Sequence, residues 1–525
     1  MGLLTISDMI KTHARLQPDK IGVRDSRRSL TFAQWDERCS RLANAMHALG
    51  IRKGDRVALY AYNTIEWMEL YGGLARAGLI AVPINFRLVG QEISYILTHC
   101  AARAVVVQND LKENIDAIRS TPELQDLSYI LLGGEKTPGW LEYEALLASA
   151  STEAPDVAVG PDDTFAIMYT SGTTGYPKGA IRRHGANSLI AILTAFDLGF
   201  SRNDVGLFVM PMCHANSLYF SLTFSYLGAT CVIDDRKSFD PEAVLQEMAR
   251  QKVTFTSLVP THFIMMLSLP EEVKARYDVD TVGKLMISSA PAREDTKRAI
   301  IAYFRNSKLF ELYGSTEAGW VTLLRPQDQI HKLGSVGREW TGTGPVKFLG
   351  PDGNEVPDGE VGELYSWTPF VFDGYWNEPQ KSADAFRGAW CSVGDMGRRD
   401  EDGYIHLVDR KSNLIISGGE NIYPSEVEGV IGAHPAVKDV AVIGVPDEKW
   451  GESVKSIIVP HAGQSVTEAE ILDWCRSRMA GYKRPRSIIF VSDQDMPRTP
   501  TGKILHRILR QRFGSAPPAS KTTTE

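Results

Sequence analysis

Cysteine is scarce, with six in 525 residues, and no two of them form a Cys-x-x-Cys pair. The scatter (Cys39, Cys100, Cys213, Cys231, Cys391 and Cys475) argues against a disulfide framework or a zinc ligand set and fits a reducing compartment. No uncharged apolar run is long enough to span a bilayer, and no charged-then-apolar leader opens the chain. The opening "MGLLTIS" misses an N-myristoylation signal because Ile6 stands where Ser or Thr is needed, and the closing "TTTE" carries no targeting signal. Excess positive charge is also absent. The net charge of −7 disfavours a nucleic-acid or anionic-membrane binder. What is present is an ordinary globular composition, 43% hydrophobic and 23% charged, long enough for about three structural units. The expectation is a cytoplasmic protein acting on small molecules, with a homodimer left open beside a monomer.

Apolar strands alternate with amphipathic helices along the first three hundred residues or so. "RVALYAY" (Arg56–Tyr62) and "LIAVPIN" read as buried strands around the helical "IEWMELYGGLARAG". The rhythm returns further on. "GLFVMPM", "TCVIDD", "VTFTSLVP", "KLMISSAP" and "KLFELYG" are strand-like, and "SLYFSLTFSYLG" is helical. In "DPEAVLQEMARQK", Asp240 is placed as N-cap and Pro241 at the first helical position, with Val244, Leu245 and Met248 on one face. Two similar α/β passages suggest a duplicated architecture. From about Gly342 to Tyr404, Gly, Pro and Asp punctuate short strand-like pieces, the texture of a small β-rich subdomain. After "DRKSN" comes a compact α+β stretch of about a hundred residues, in the size range of one domain. The tail "GSAPPASKTTTE" is small, polar and Pro-containing, and disorder is expected there.

One segment resists both helix and strand: "YTSGTTGYPKG", Tyr169–Gly179. Its glycines let backbone N–H groups crowd toward an anion, its hydroxyls add donors, and Lys178 adds a point charge. A surface connection and a phosphate loop both answer to that composition. The distance from Gly172 to Lys178 fits a GxxxxGK[ST] loop, but Pro177 replaces its second Gly and Gly179 its Ser or Thr.

"YTSGTTGYPKG" resembles the phosphate-loop signature of the adenylate-forming superfamily, which comprises acyl-CoA synthetases, luciferases and the adenylation domains of peptide synthetases. The resemblance continues in family order along nearly the whole chain. "ELYGSTEAG" (Glu311–Gly319) is similar to the second nucleotide motif. "WCSVGDMGRRDEDGYIHLVDRKSNLIISGGENIYPSEVE" (Trp390–Glu428) is similar to the ribose, hinge and acceptor motifs. "PRTPTGKILH" (Pro497–His506) is similar to the catalytic-lysine motif.

The resemblance implies an α/β fold. A large N-terminal domain (residues 1–411) would hold two similar α/β subdomains and a small β-rich one. A small mobile α+β lid (412–513) would alternate between two orientations, followed by a disordered tail (514–525). It further implies an AMP-forming carboxylic acid–CoA ligase using ATP, Mg²⁺ and CoA. Thr170, Ser171, Gly172, Thr173, Thr174 and Lys178 would hold the β- and γ-phosphates. Thr316 would contact the α-phosphate and Glu317 anchor the metal. Tyr313 and Gly314, with Ser289 and Ala290, would line the adenine site. Asp395 would take the ribose hydroxyls, with Arg410 reaching ribose or phosphate, and Lys503 would bridge the reacting carboxylate and α-phosphate. Gly418 and Gly419 would leave room for pantetheine, with Trp450 and Arg484 near the CoA nucleotide, and His214 would border the acyl pocket.

The chain departs from the family pattern in places. Cys213 stands where a bulky residue is common, and Ser412 and Asn413 replace the usual charged hinge residues. Stretches assigned to the acyl pocket are apolar or small, with Asn216 and Ser217 as polar exceptions. They hold no arginine for a diacid and no bulky plug for acetate, which points to a medium-chain aliphatic or an aromatic acid. The alternatives are a free-standing enzyme that loads a carrier protein, a luciferase-type oxygenase, and a non-catalytic binder.

Overall fold

The computed structural model describes residues 5–170, 177–289, 292–417, 420–447, 449–476, 478–499, 502 and 504–514. The chain packs as two compact units. One comprises the chain up to Val346 together with Ser366–Val393, the other Lys347–Tyr365 with the chain from Gly394 onward.

The first unit is built on two sheets. In one, seven strands run in the order Leu141–Glu142, Ser128–Leu132, Ala102–Gln108, Arg56–Tyr60, Ile80–Ile84, Thr164–Thr170, Lys178–Arg183. All neighbours are parallel until the last pair, an antiparallel hairpin with Thr170 opposite Lys178. The second sheet has nine strands. Its centre is the parallel set Lys308–Ser315, Lys284–Ser288, Phe255–Leu258, Val205–Phe208 and Thr230–Ile233. It too passes into an antiparallel hairpin, Lys308–Ser315 with Gly319–Leu324. The duplicated α/β architecture is thus present, and in each copy the parallel ladder passes into an antiparallel hairpin, at Lys178–Arg183 in one and at Gly319–Leu324 in the other.

The local signals in the sequence are used as chemistry requires. Asp240 accepts from the backbone N–H of Ala243 at the start of helix Pro241–Gln251, and Val244, Leu245 and Met248 are its buried face. The strand read in "GLFVMPM" stops early, at Phe208. Asn63 takes over there: its Nδ2 donates to the carbonyls of Val209 and Met210, and its Oδ1 accepts from the Met212 N–H. A side chain has replaced the ladder partner that a longer strand would need.

In the second unit, Lys347–Leu349, Gly362–Tyr365, Asp395–Arg399 and Ile405–Arg410 form a four-stranded antiparallel sheet, the β-rich piece. By compactness it belongs with the C-terminal part of the chain. A hinge at residues 411 and 412 is a separate matter, since it asks only for soft torsions at one point. A five-stranded sheet follows, centred on Val437–Asp447 and Gly451–Pro460. Alternation splits its side chains between two cores: Val440 and Val442 pack with Val427, Ile431 and Ile471, while Ala441 and Ile443 pack with Met496 and Leu509. Among the described residues no helix is long and apolar enough to cross a membrane.

Candidate functional site

The strand pair Thr164–Thr170 and Lys178–Arg183 brings its ends close to the turn that holds Glu317. Thr170, the last residue before the glycine-rich turn, lies with its Oγ1 3.3 Å from Oε1 of Glu317 in the other turn. Tyr375 donates its phenolic proton to the same Oε1 at 2.9 Å. Glu317 is only 6% exposed, so these hydroxyls replace part of the hydration a buried carboxylate loses. Lys178, which opens the strand after the turn, lies with Nζ 4.2 Å from the Tyr375 ring centroid. Ser171, Gly172, Thr173 and Thr174 fall outside the described residues.

Main-chain bonds and one buried cation hold this constellation in place. Trp376 donates its N–H to the Gly179 carbonyl at 2.8 Å, and Phe372 donates to the Glu317 carbonyl at 2.7 Å. Segment 372–376 therefore stitches one hairpin to the other. Arg182 is fully buried, and its Nη1 donates to the carbonyls of Thr316 (3.3 Å) and Glu317 (3.2 Å). Tyr219 donates to the Thr316 carbonyl as well, at 3.3 Å. Ser315 Oγ accepts from the Ala318 N–H and closes the turn. The turn needs its glycines: a Cβ on Gly314 would meet the Gly319 carbonyl oxygen at 2.3 Å, and Gly319 itself sits at φ +73°. Neither Tyr375 nor Arg182 was reached by sequence reasoning. The aromatic pair in "FDGYW" and an arginine inside the apolar strand "KGAIRR" were the available signals.

Tyr313 and Gly314 lie near the end of the strand Lys308–Ser315, just past Leu312, which is the register partner of Ser288, and Ser289 follows Ser288 in the left-handed region at φ +67°. Ala290 lies outside the described residues. His214 is the N-cap residue of helix Ala215–Leu227. Burial, with a smaller contribution from Arg87, pushes its imidazole down to about 4, and its Nε2 has no partner. It is a neutral ring at physiological pH. Burial pushes the Cys213 thiol up to about 12, which removes it as a nucleophile.

In the second unit Asp395 and Arg410 are cross-strand partners, and Arg410 Nε lies 2.6 Å from Asp395 Oδ1. The Asp395 carboxylate is buried, so the arginine both neutralises and orients it. Trp450 and Arg484 have separate surroundings. The Trp450 ring faces the Arg486 guanidinium at 4.9 Å, whereas Arg484 donates to the carbonyls of Met479 and Arg476. Gly418, Gly419 and Lys503 lie outside the described residues.

Paired α/β sheets that bring Lys178 and the buried Glu317 to the same tyrosine, Tyr375, are an arrangement that fits the class of nucleotide-handling enzymes. The chain belongs to the AMP-binding enzyme family. Residues 10–376 match that family's model, and residues 426–503 match the model of the AMP-binding enzyme C-terminal domain. A feruloyl-CoA synthase from Amycolatopsis sp is 36% identical over 503 residues, 95% of this chain and 97% of the relative. The long-chain-fatty-acid–CoA ligase FadD13 of Mycobacterium tuberculosis is 36% identical over 93% of this chain and 94% of its own. The crystal structure of the anthranilate CoA ligase AuaEII in complex with anthranoyl-AMP superposes with a TM-score of 0.88 at 28% identity, covering 98% of each chain.

Proposed function

We propose that this chain is an ATP-dependent, AMP-forming carboxylic acid–CoA ligase acting on a hydrophobic fatty or aromatic acid. The observation that carries the reading is the meeting of Thr170, Lys178, Glu317 and Tyr375 in a chain related to CoA ligases along nearly its whole length.

A carboxylate resists nucleophiles because of its own charge. The first step forms a bond from a carboxylate oxygen to the α-phosphorus of ATP and breaks the α–β bridge, releasing pyrophosphate. In the second, the CoA sulfur bonds to the acyl carbon and AMP leaves. Both steps concentrate negative charge, so the protein's task is positioning and charge stabilisation. In this reading Thr170, Lys178 and the turn between them hold the β- and γ-phosphates. Thr316, its carbonyl pinned by Arg182 and Tyr219, turns toward the α-phosphate. Tyr313, Gly314, Ser289 and Ala290 flank adenine, and Asp395, oriented by Arg410, takes the ribose hydroxyls. Lys503 stabilises the charge on the reacting oxygens, and Gly418, Gly419, Trp450 and Arg484 serve CoA.

The donor set around Glu317 suits magnesium. Its oxygens are hard ligands, and among the described residues no group of three metal-ligating side chains occurs, so phosphate oxygens and water would complete the shell. Mg²⁺ bound there would neutralise phosphate charge. The six cysteines are all buried and unbridged, which supports a cytoplasmic setting.

The test is an assay of purified protein with ATP, Mg²⁺, CoA and a panel of aliphatic and aromatic acids. AMP and thioester are expected in equal amounts. Pyrophosphate release that ignores the acid would sink the reading. Acid-dependent pyrophosphate with transfer only to a phosphopantetheinyl carrier protein would replace it with carrier loading.

A further inference from the structure

Three polar side chains from distant parts of the sequence meet over the carboxyl ends of two parallel strands. Asn216, in the first turn of helix Ala215–Leu227, donates from Nδ2 to Ser257 Oγ at 2.9 Å and to Ser288 Oγ at 2.8 Å. The two serine oxygens lie 3.3 Å apart. Ser257 and Ser288 are buried, while Asn216 is half-buried.

Their hydrogen-bonding capacity does not close on itself. Both amide protons of Asn216 are spent on the serines, which leaves Oδ1 as an acceptor. The hydroxyls share one contact, which leaves one hydroxyl proton over. The trio therefore presents an acceptor and a donor along its open edge. Of its near neighbours in sequence, Ser217 spends its hydroxyl on the Met210 carbonyl at 2.6 Å and Cys213 is a buried thiol, while the neutral His214 ring keeps one unpartnered nitrogen. Polar groups placed among apolar strand ends carry a desolvation cost that Ala or Val would avoid. The place is the crevice outside the carboxyl ends of parallel strands, where open α/β sheets receive ligands.

We propose that Asn216, Ser257 and Ser288 select an aromatic acid carrying one hydroxyl or amino group over an unsubstituted aromatic or fatty acid. The assignment of the carboxylate's fate rests on the ligase reading, whereas the selection rests on the trio itself. A rigid ring fixes the distance between its carboxylate and its polar substituent, so one hydrogen-bonding edge reads it without the rotor entropy a flexible chain would lose. A site that hydrogen-bonds a substituent also rejects the analogue lacking it, because the site's own groups are then left unpaired.

The test separates binding from turnover. Wild-type protein, with Mg²⁺ and a non-hydrolysable ATP analogue, is titrated calorimetrically with 4-hydroxycinnamate, cinnamate, 3-aminobenzoate, benzoate and decanoate. Each substituted acid is expected to bind at least about tenfold tighter than its parent. In Asn216→Leu that gap closes while affinity for the parent acids holds or rises, and Ser257→Ala, a milder change, narrows it. Parent acids that bind as well as substituted ones, a gap that survives Asn216→Leu, or an equal loss for both acids would overturn the proposal. Thioester formation by the same samples reports on the ligase reading. Selective binding without thioester would sink that reading alone, and thioester without selectivity would sink this one alone.

Discussion

A carboxylate as enclosed as Glu317 loses hydration on burial, and two hydroxyls replace part of it at one oxygen. Tyr375 is the closer, at 2.9 Å against 3.3 Å for Thr170. Tyr375→Phe keeps the ring that Lys178 faces and removes only that donor. Hydrogen bonds to charged groups contribute about 1.5–3 kcal/mol, so kcat/KM at limiting Mg²⁺ should fall roughly 10- to 100-fold. High Mg²⁺ should restore part of the loss. A magnesium titration of acid-dependent pyrophosphate release checks this, and an unchanged magnesium dependence would show that the hydroxyl does not orient a metal ligand. Residues of this kind divide by where their information sits. Lys178 stands in a short run whose composition fits neither helix nor strand, and Glu317 is reached through the resemblance of "ELYGSTEAG" to a known motif. Tyr375 reaches Glu317 across 58 residues, and Asn216 reaches its serines across 41 and 72, separations that only the folded sheet closes.

At the level of elements, the recurring device is a parallel ladder that passes into an antiparallel hairpin, with one of the two segments proposed to hold the nucleotide between the strands of each hairpin. A hairpin fixes both ends of its turn in register, so few residues need to be specified to place Thr316 and Glu317. That economy makes the turn intolerant of bulk. In Gly314→Ala the new methyl would lie 2.3 Å from a backbone carbonyl oxygen on the facing strand, so one strand must shift. Overpacking of this sort costs about 1–3 kcal/mol. Catalysis should suffer more, because Thr316 and Glu317 move together: activity should drop at least about a hundredfold while melting falls by only a few degrees. Wild-type activity in a stably folded Gly314→Ala would mean that the turn does not position the reacting groups. Local signals made elements such as Pro241–Gln251 legible, cap and buried face included. The end of the Val205–Phe208 strand was not legible, because Asn63 ends it from another part of the chain.

For the whole molecule, the first unit couples its stability to pH through three enclosed histidines. His184, His214 and His262 are each pushed down to about 4, chiefly by burial, and each has a ring nitrogen without a partner. Protonation would place an N–H⁺ where no acceptor waits. The unfolded chain takes up these protons near 6.5, whereas the folded one refuses them until about 4. Their contribution to stability is therefore complete above about 6.5 and is lost as the pH falls through that window. Asp234 works the other way: burial raises its carboxyl to about 6, which weakens the fold as the pH rises, so the net profile is a difference of opposing slopes. A single substitution isolates one slope. His262 stacks on Phe239 with ring centroids 3.9 Å apart and planes 4° from parallel, a geometry that Phe can keep. His262→Phe should be more stable than wild type by about 1–2 kcal/mol at pH 5, relative to the difference between the two at pH 7.5. Denaturant unfolding at the two pH values measures this, and an identical difference at both would mean that His262 titrates alike in the folded and unfolded chain.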